Sequence, residues 1–182
     1  MALLMSPTEC VTEQTIRDNI TRAVSDVFAT MLGHHPRLLE DQMETSGQSW
    51  PPLVARNELA HTPHVVGTVG FIGEANALIY IYLPDAFARL VTCRLLGLTE
   101  TELANDGEAV VNDAVGELTN MIVGVFKNCL CDSGYPCRLT IPSILRGNNF
   151  HIESTGSAVR RIYYFDCVGH RVVADIMMKI GE

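Results

Sequence analysis

Residues 65–83 read VVGTVGFIGEANALIYIYL, and this stretch indicates the fold most directly. Two runs within it, residues 65–72 and 77–83, are rich in the β-branched and aromatic residues that favour strands. The Gly-Glu-Ala-Asn sequence between them, residues 73–76, is typical of a turn. The spacing therefore predicts an antiparallel β-hairpin.

A second hairpin is predicted near the end of the sequence. Residues 158–168 and 171–180 are again rich in apolar and aromatic residues, and Gly169-His170 between them supplies the turn. Before this hairpin, Arg138–Leu145 has the composition of a further strand. Pro142 interrupts that strand, because proline cannot donate a hydrogen bond to a sheet.

Helical periodicity marks the other segments. Apolar residues at helical spacing predict an amphipathic helix over residues 11–32. A shorter helix is predicted from Pro84, which suits a first helical turn, to Gly97, a typical stop signal. A loop with the form of a capping box, Thr99-Glu100-Thr101-Glu102, then leads to a long helix over Glu108–Leu130, about 34 Å in length.

This order of elements predicts an α+β fold in which antiparallel β-hairpins form a sheet packed against two long helices. The two halves also suggest a degenerate internal repeat with an offset of 95 residues, since 113 − 18 = 95 aligns Asp18 with Asp113. The same offset places residues 65–82 on residues 160–177, so the two hairpins coincide. Side-chain identity between the halves is slight.

The length and composition limit the organisation and the partners. A chain of 182 residues has the size of one domain, so residues 1–182 are expected to form a single domain. Within it, the polar segment 33–53 is predicted to be mainly loop, with a short strand around Leu38–Met43. A net charge of −8 argues against nucleic acid or an anionic membrane as the partner. Since the apolar run at the N-terminus is too short for a signal peptide, a cytoplasmic protein is expected.

The six cysteines are expected to be reduced thiols that pack as small apolar side chains. Three of them, Cys129, Cys131 and Cys137, lie close together in sequence and would bind zinc only with a fourth ligand such as histidine. Their spacing lacks a CxxC pair, so no bound metal is expected. A thiol or zinc protein built on this cluster is one alternative class of function.

The long helix separates into an apolar side and a polar stripe. The apolar side, which should face the core, consists of Val111, Val115, Leu118, Ile122, Val125, Phe126 and Cys129. The polar stripe on the opposite side consists of Asp113, Glu117, Asn120, Gly124 and Lys127. Glu117 and Asn120 are three residues apart and therefore neighbours on the helix surface. This stripe is either a solvated helix face or a site.

Two glycines favour a site over a solvated face. Gly116 and Gly124 interrupt the helix, where each costs about 1 kcal/mol relative to alanine. Small residues allow a partner to approach closely, so both are expected at a docking surface. The Glu-x-x-Asn spacing alone is weak, because Glu102 and Asn105 repeat it by chance where a loop meets a helix.

The stretch 113–124, DAVGELTNMIVG, resembles the Asp/Ser-x-x-x-Glu-x-x-Asn signature of the CheC, CheX and FliY phosphatases. Pro142 follows at about the distance typical of that family, and residues 65–96 are also similar to CheX-like domains. The resemblance covers roughly two-thirds of the chain. On the first helix, the positions aligned with the motif are Asp18, Arg22 and Ser25, so the chain resembles CheX in having one such site.

The resemblance implies a phosphatase that acts on the aspartyl phosphate of a CheY-like receiver domain. It implies that Asn120 positions the attacking water and that Glu117 pairs with a lysine of the receiver, while Asp113 supports docking together with Gly116, Gly124 and Lys127. The magnesium ion is expected to come from the receiver, and no cofactor is expected on this chain.

The resemblance also implies a homodimer associated through its sheets, because the hairpins offer edges that a monomer would leave unpaired. The leading alternative is a non-catalytic interaction module, since related flagellar switch domains share the fold without acting as phosphatases. Retention of Glu117 and Asn120 favours the enzyme.

Overall fold

A computed structural model describes residues 11–39, 44–45, 62–148, 150, 152 and 157–181. Its helices are α1 (Glu13–Leu32), α2 (Asp85–Leu96), α3 (Glu100–Asp106) and α4 (Glu108–Asp132). Its strands are β1 (Arg37–Leu38), β2 (Glu44–Thr45), β3 (His64–Gly73), β4 (Ala75–Pro84), β5 (Cys137–Leu139), β6 (Ser143–Gly147), β7 (Val159–Cys167) and β8 (His170–Ile180). The predicted α+β fold, with a sheet of antiparallel hairpins against long helices, is confirmed.

Both predicted hairpins form, the first with a tighter turn than predicted and the second with its two-residue turn one residue earlier. In the first, only Glu74 separates β3 from β4, and the side chain of Asn76 accepts a hydrogen bond from the Gly73 amide at 3.3 Å. In the second, Val168 and Gly169 have φ values of 55° and 78°. Two consecutive left-handed residues match the right-handed twist of paired strands, so they form a two-residue turn.

The two hairpins join into one sheet with the order β1-β7-β8-β4-β3-β5, in which β6 also pairs with β3 and β2 with β7. Tyr80 of β4 lies directly opposite Asp175 of β8. These residues are 175 − 80 = 95 positions apart, which is the offset of the predicted repeat. The central strand pair therefore relates the two halves by an approximate twofold axis.

The helices cover one face of the sheet, where most of the buried apolar side chains form a single core with α1 and α4. A smaller cluster lies on the opposite face and consists of Val66, Tyr82, Ile162, Tyr164 and Val173. Among the described residues, α4 alone is long and apolar enough to span a bilayer by length and composition, and half of its apolar stretch is buried. Because α4 packs against α1 and β3, it is the central helix of this core.

The remaining differences concern element boundaries, the helix α3, and the strand predicted over Arg138–Leu145, which is divided into β5 and β6. Pro84 precedes α2 as its N-cap residue instead of lying in the first turn. The Thr99 capping box is present, but it opens the short helix α3 within a segment expected to be a loop. The strand expected around Leu38–Met43 is represented by β1 at 37–38, and residues 40–43 lie outside the described part of the chain.

Candidate functional site

The polar stripe of α4 lies on the side of the helix that faces away from the core. The predicted core positions Val111, Val115, Leu118, Ile122 and Phe126 are fully buried, whereas Val125 and Cys129 are only partly buried. Asp113 and Glu117 are exposed, and Asn120, Gly124 and Lys127 are half-buried. The apolar periodicity of α4 thus fixes which face carries the stripe.

Glu117 and Asn120 lie one helical turn apart on this surface. Within the described residues, neither side chain takes part in a hydrogen bond or an ion pair. Two other polar side chains of α4 are engaged: Thr119 Oγ1 donates to the Val115 carbonyl oxygen at 2.7 Å, and Asn112 Oδ1 accepts from Arg146 at 2.6 Å. The carboxylate and the amide are therefore available to bind a partner.

Glu102 and Asn105, which repeat the Glu-x-x-Asn spacing, form no comparable pair. The carboxylate of Glu102 accepts hydrogen bonds from the amide and the hydroxyl of Thr99, both at 2.8 Å. These bonds lower the pKa of Glu102, with the backbone contact as the main cause. Glu102 is thus part of a helix cap, as the capping-box pattern predicted.

The two glycines of α4 contact strands of the same chain. A Cβ atom on Gly116 would lie 3.8 Å from Ile144 Cδ1, and one on Gly124 would lie 3.8 Å from Leu139 Cδ1. Gly116 is buried, so the expectation that it lies at an exposed docking surface is wrong. The sequence could not show this, because β5 and β6 fold back along the edge of α4. Gly124 is half-buried and remains at the edge of the stripe.

A side-chain network fixes the start of α4 beside the stripe. Arg146 of β6 donates from Nε to Asn112 Oδ1 at 2.6 Å and from Nη1 to Asp85 Oδ1 at 2.9 Å. Asp85 also accepts a hydrogen bond from Arg89 at 2.8 Å. This network joins β6, α2 and α4 immediately before Asp113. No periodicity or motif in the sequence indicates it, because its members are far apart in the chain.

The cysteine cluster lies where α4 ends and β5 begins. Cys131 Sγ and Cys137 Sγ are 3.9 Å apart. Burial, followed by the contact with Cys131, raises the pKa of Cys137 to about 11, so this thiol is protonated at neutral pH. No group of three or more metal-ligating side chains occurs among the residues that the structure describes.

The corresponding stripe on α1 is occupied by contacts within the chain. Arg22 forms an exposed ion pair with Asp26 at 3.3 Å, and Ser25 Oγ lies 3.0 Å from His35 Nδ1. Asp18 accepts a hydrogen bond from Gln14 at 2.8 Å. This face carries neither the glutamate nor the asparagine of the α4 stripe.

Known proteins share the sequence pattern and the fold described above. The sequence profile of the family described as chemotaxis phosphatase CheX matches residues 65–166, which include β3, β4, α2, α4 and the polar stripe. No curated protein matches the sequence.

Several solved structures share the fold. A chemotaxis protein CheX from Desulfovibrio desulfuricans superposes with a TM-score of 0.71 at 21% identity, covering 90% of this chain and 99% of that one. CheX from Vibrio vulnificus gives a TM-score of 0.67 at 20% identity, with coverages of 90% and 99%. The Borrelia burgdorferi structure of a complex of CheX, CheY, BeF3 and Mg2+ gives 0.65 at 20% identity, with coverages of 90% and 97%.

Proposed function

The chain belongs to the chemotaxis phosphatase CheX family, and we propose that it hydrolyses the aspartyl phosphate of a CheY-like receiver domain. The observation that carries the proposal is the pair Glu117 and Asn120, one turn apart on an outward face of α4 and unengaged within the described chain. The family relative solved with CheY and BeF3 supports a receiver as the partner.

Asn120 is proposed to position the attacking water. Its amide oxygen can accept a hydrogen bond from that water while its amide nitrogen donates to a phosphoryl oxygen. The side chain is neutral, so it does not repel the phosphate. An acyl phosphate is already activated, and in-line positioning with charge stabilisation is sufficient for its hydrolysis. Asn120 therefore need not act as a base.

Glu117 is proposed to anchor the receiver. Its exposed carboxylate can pair with a lysine of the receiver through a charge-assisted hydrogen bond, which fixes the register of the two proteins. Asp113 lies one turn earlier and adds negative charge at the same end of the stripe, so we assign it a supporting role. Gly124 and Lys127 border the opposite end. Gly116 is excluded from this contact because it is buried.

The magnesium ion of the reaction is proposed to belong to the receiver. The relative solved as a complex of CheX, CheY, BeF3 and Mg2+ supports this assignment, because that complex contains the receiver together with the ion. The protein would act in the cytoplasm, where CheY-like receivers work.

We also propose a homodimer. Its contact would be the outer face of the sheet and not the sheet edges, which the sequence alone had suggested. Short strands of the same chain occupy those edges, with β1 and β2 on β7 and β5 and β6 on β3. The outer sheet face still exposes Ile72 and Leu78, which a second copy could bury.

The direct test is the decay of a phosphorylated CheY-like receiver from the same organism, with and without the protein. The phosphatase predicts catalytic acceleration at substoichiometric protein. Binding without acceleration would instead favour the non-catalytic interaction module.

A further inference from the structure

Ile141 is the most exposed large apolar side chain among the described residues, at 87% of its full exposure. It lies in the connection between β5 and β6, and the neighbouring Pro142 is also exposed. An isolated apolar residue at a protein surface needs no explanation by itself. Ile141, however, lies close to the polar stripe of α4, and this position suggests a role for its exposed side chain.

The β5–β6 connection runs alongside the turn of α4 that carries Glu117 and Asn120. At one end, Leu139 Cδ1 would lie 3.8 Å from a Cβ atom on Gly124, and at the other, Ile144 Cδ1 would lie 3.8 Å from one on Gly116. These two glycines are about 12 Å apart along the helix axis, and Glu117 and Asn120 lie between them. The connection that carries Ile141 therefore lies beside the same segment of α4.

The connection is held firmly at both sides of Ile141. The Thr140 amide donates to the Gly70 carbonyl oxygen at 2.8 Å, and the Gly70 amide donates to Thr140 Oγ1 at 2.9 Å. On the other side, Ser143 pairs with Thr68 in the sheet. Because Thr140 and Ser143 both pair with β3, the backbone on either side of Ile141 is fixed on the sheet.

We infer that Ile141 is an apolar docking anchor for the receiver domain, an inference that rests on the proposed function. In this arrangement Glu117 supplies the charged contact that sets the register, and Ile141 inserts into an apolar recess on the receiver beside its phosphorylated aspartate. Burial of the isoleucine in the complex supplies affinity. The occupant is the receiver and not a second copy, because the anchor adjoins the proposed site.

The test uses the purified full chain with a CheY-like receiver from the same organism, either phosphorylated or loaded with BeF3 and Mg2+. Ile141→Ser is expected to raise KM and the Kd for the BeF3-loaded receiver at least about tenfold, which corresponds to roughly 1.4 kcal/mol. The kcat is expected to stay near that of the wild type, since Asn120 is unchanged. Ile141→Leu, which keeps an apolar anchor, should restore most of the affinity.

Val168→Ser is the matched control. Val168 is another exposed β-branched residue, in the turn between β7 and β8. It belongs to a hairpin whose strands lie three and four positions from β5 in the sheet, or about 14–19 Å away. Its loss should leave KM and Kd unchanged. Circular dichroism verifies that each variant keeps the native fold.

The outcomes separate this inference from the proposed function. If Ile141→Ser matches the wild type in KM and Kd while Asn120→Ala still loses turnover, Ile141 is not an anchor and the phosphatase proposal stands. If the wild-type protein neither binds the receivers nor accelerates their dephosphorylation, both proposals are wrong. If Ile141→Ser sediments as a smaller species than the wild type, Ile141 contacts a second copy and the inference is overturned.

Discussion

Gly67 of β3 and Thr119 of α4 are in such close contact that a Cβ atom on Gly67 would lie 1.9 Å from Thr119 Oγ1. The central helix thus rests directly on the backbone of the sheet at this point. Thr119 immediately precedes Asn120, so the same contact fixes the depth and rotation of the helical turn that carries the proposed site.

Gly67→Ala is expected to destabilise the protein by about 1–3 kcal/mol, because the added methyl group forces α4 away from β3. Chemical denaturation measures the loss. Gly124→Ala is the matched control, since its new Cβ would meet Leu139 at an ordinary 3.8 Å and improve helix propensity. Equal stability of Gly67→Ala and the wild type would show that the contact does not fix the helix.

Asp175→Ala is expected to cost about 3–5 kcal/mol of unfolding free energy, because it leaves the guanidinium of Arg160 buried without its carboxylate. Asp175 is fully buried and accepts hydrogen bonds from Arg160 Nε at 2.9 Å and Nη2 at 2.6 Å. The comparison is Asp26→Ala, which removes the exposed ion pair with Arg22 and should cost about 0–1 kcal/mol. Similar losses in the two variants would contradict the argument.

Stability is expected to decrease as the pH falls below about 6.5, partly because of His64. Burial lowers the pKa of His64 from 6.5, and its Nε2 atom is buried with no hydrogen-bond partner in the described structure. The unfolded chain therefore binds the proton more tightly, and acid favours unfolding. Denaturation of the wild type and His64→Gln between pH 7.5 and 5 measures the effect. Parallel curves would exclude His64 as a cause.

The protein is expected to sediment as a dimer at tens of micromolar, roughly the range of a weak homodimer. Ile72 on the outer sheet face is 65% exposed, and Ile72→Asp should shift the equilibrium towards the monomer because it places a charge in the contact. Leu96→Asp is the control: it places the same charge at the end of α2, away from the outer sheet face, and should leave the dimer unchanged. A wild-type monomer at this concentration would count against the dimer.

Local sequence patterns were sufficient to predict α1, α2, α4, both hairpins and the exposure of Glu117. Each of these features depends on periodicity or turn chemistry within one segment, as in the turn at Gly169. The α4 register was enough to place Glu117 and Asn120 together, because neighbours on a helix follow from their spacing alone.

Contacts between distant segments were not predictable in this way. The burial of Gly116 depends on Ile144, and the fixed start of α4 depends on the pairing of Arg146 with Asp85 and Asn112. Each contact is determined by how β6 lies along the sheet edge, which no local pattern encodes. Ile141 was missed for the same reason.

The measurement that tests the central claim most directly is the dephosphorylation rate of a CheY-like receiver, at saturating and limiting receiver, for variants at Glu117 and Asn120. Asn120→Ala is expected to reduce turnover far more than binding, because it removes a contact made mainly in the transition state. Glu117→Ala should weaken both, with a cost in binding of about 2–5 kcal/mol, and Glu117→Gln should fall between it and the wild type.

Glu102→Ala is the control in the same series, because Glu102 has the same spacing to an asparagine but only caps α3. The account predicts that Glu102→Ala keeps the wild-type turnover while Asn120→Ala loses it in a folded protein that still binds the receiver. Wild-type turnover in the Asn120→Ala protein would contradict the proposed mechanism.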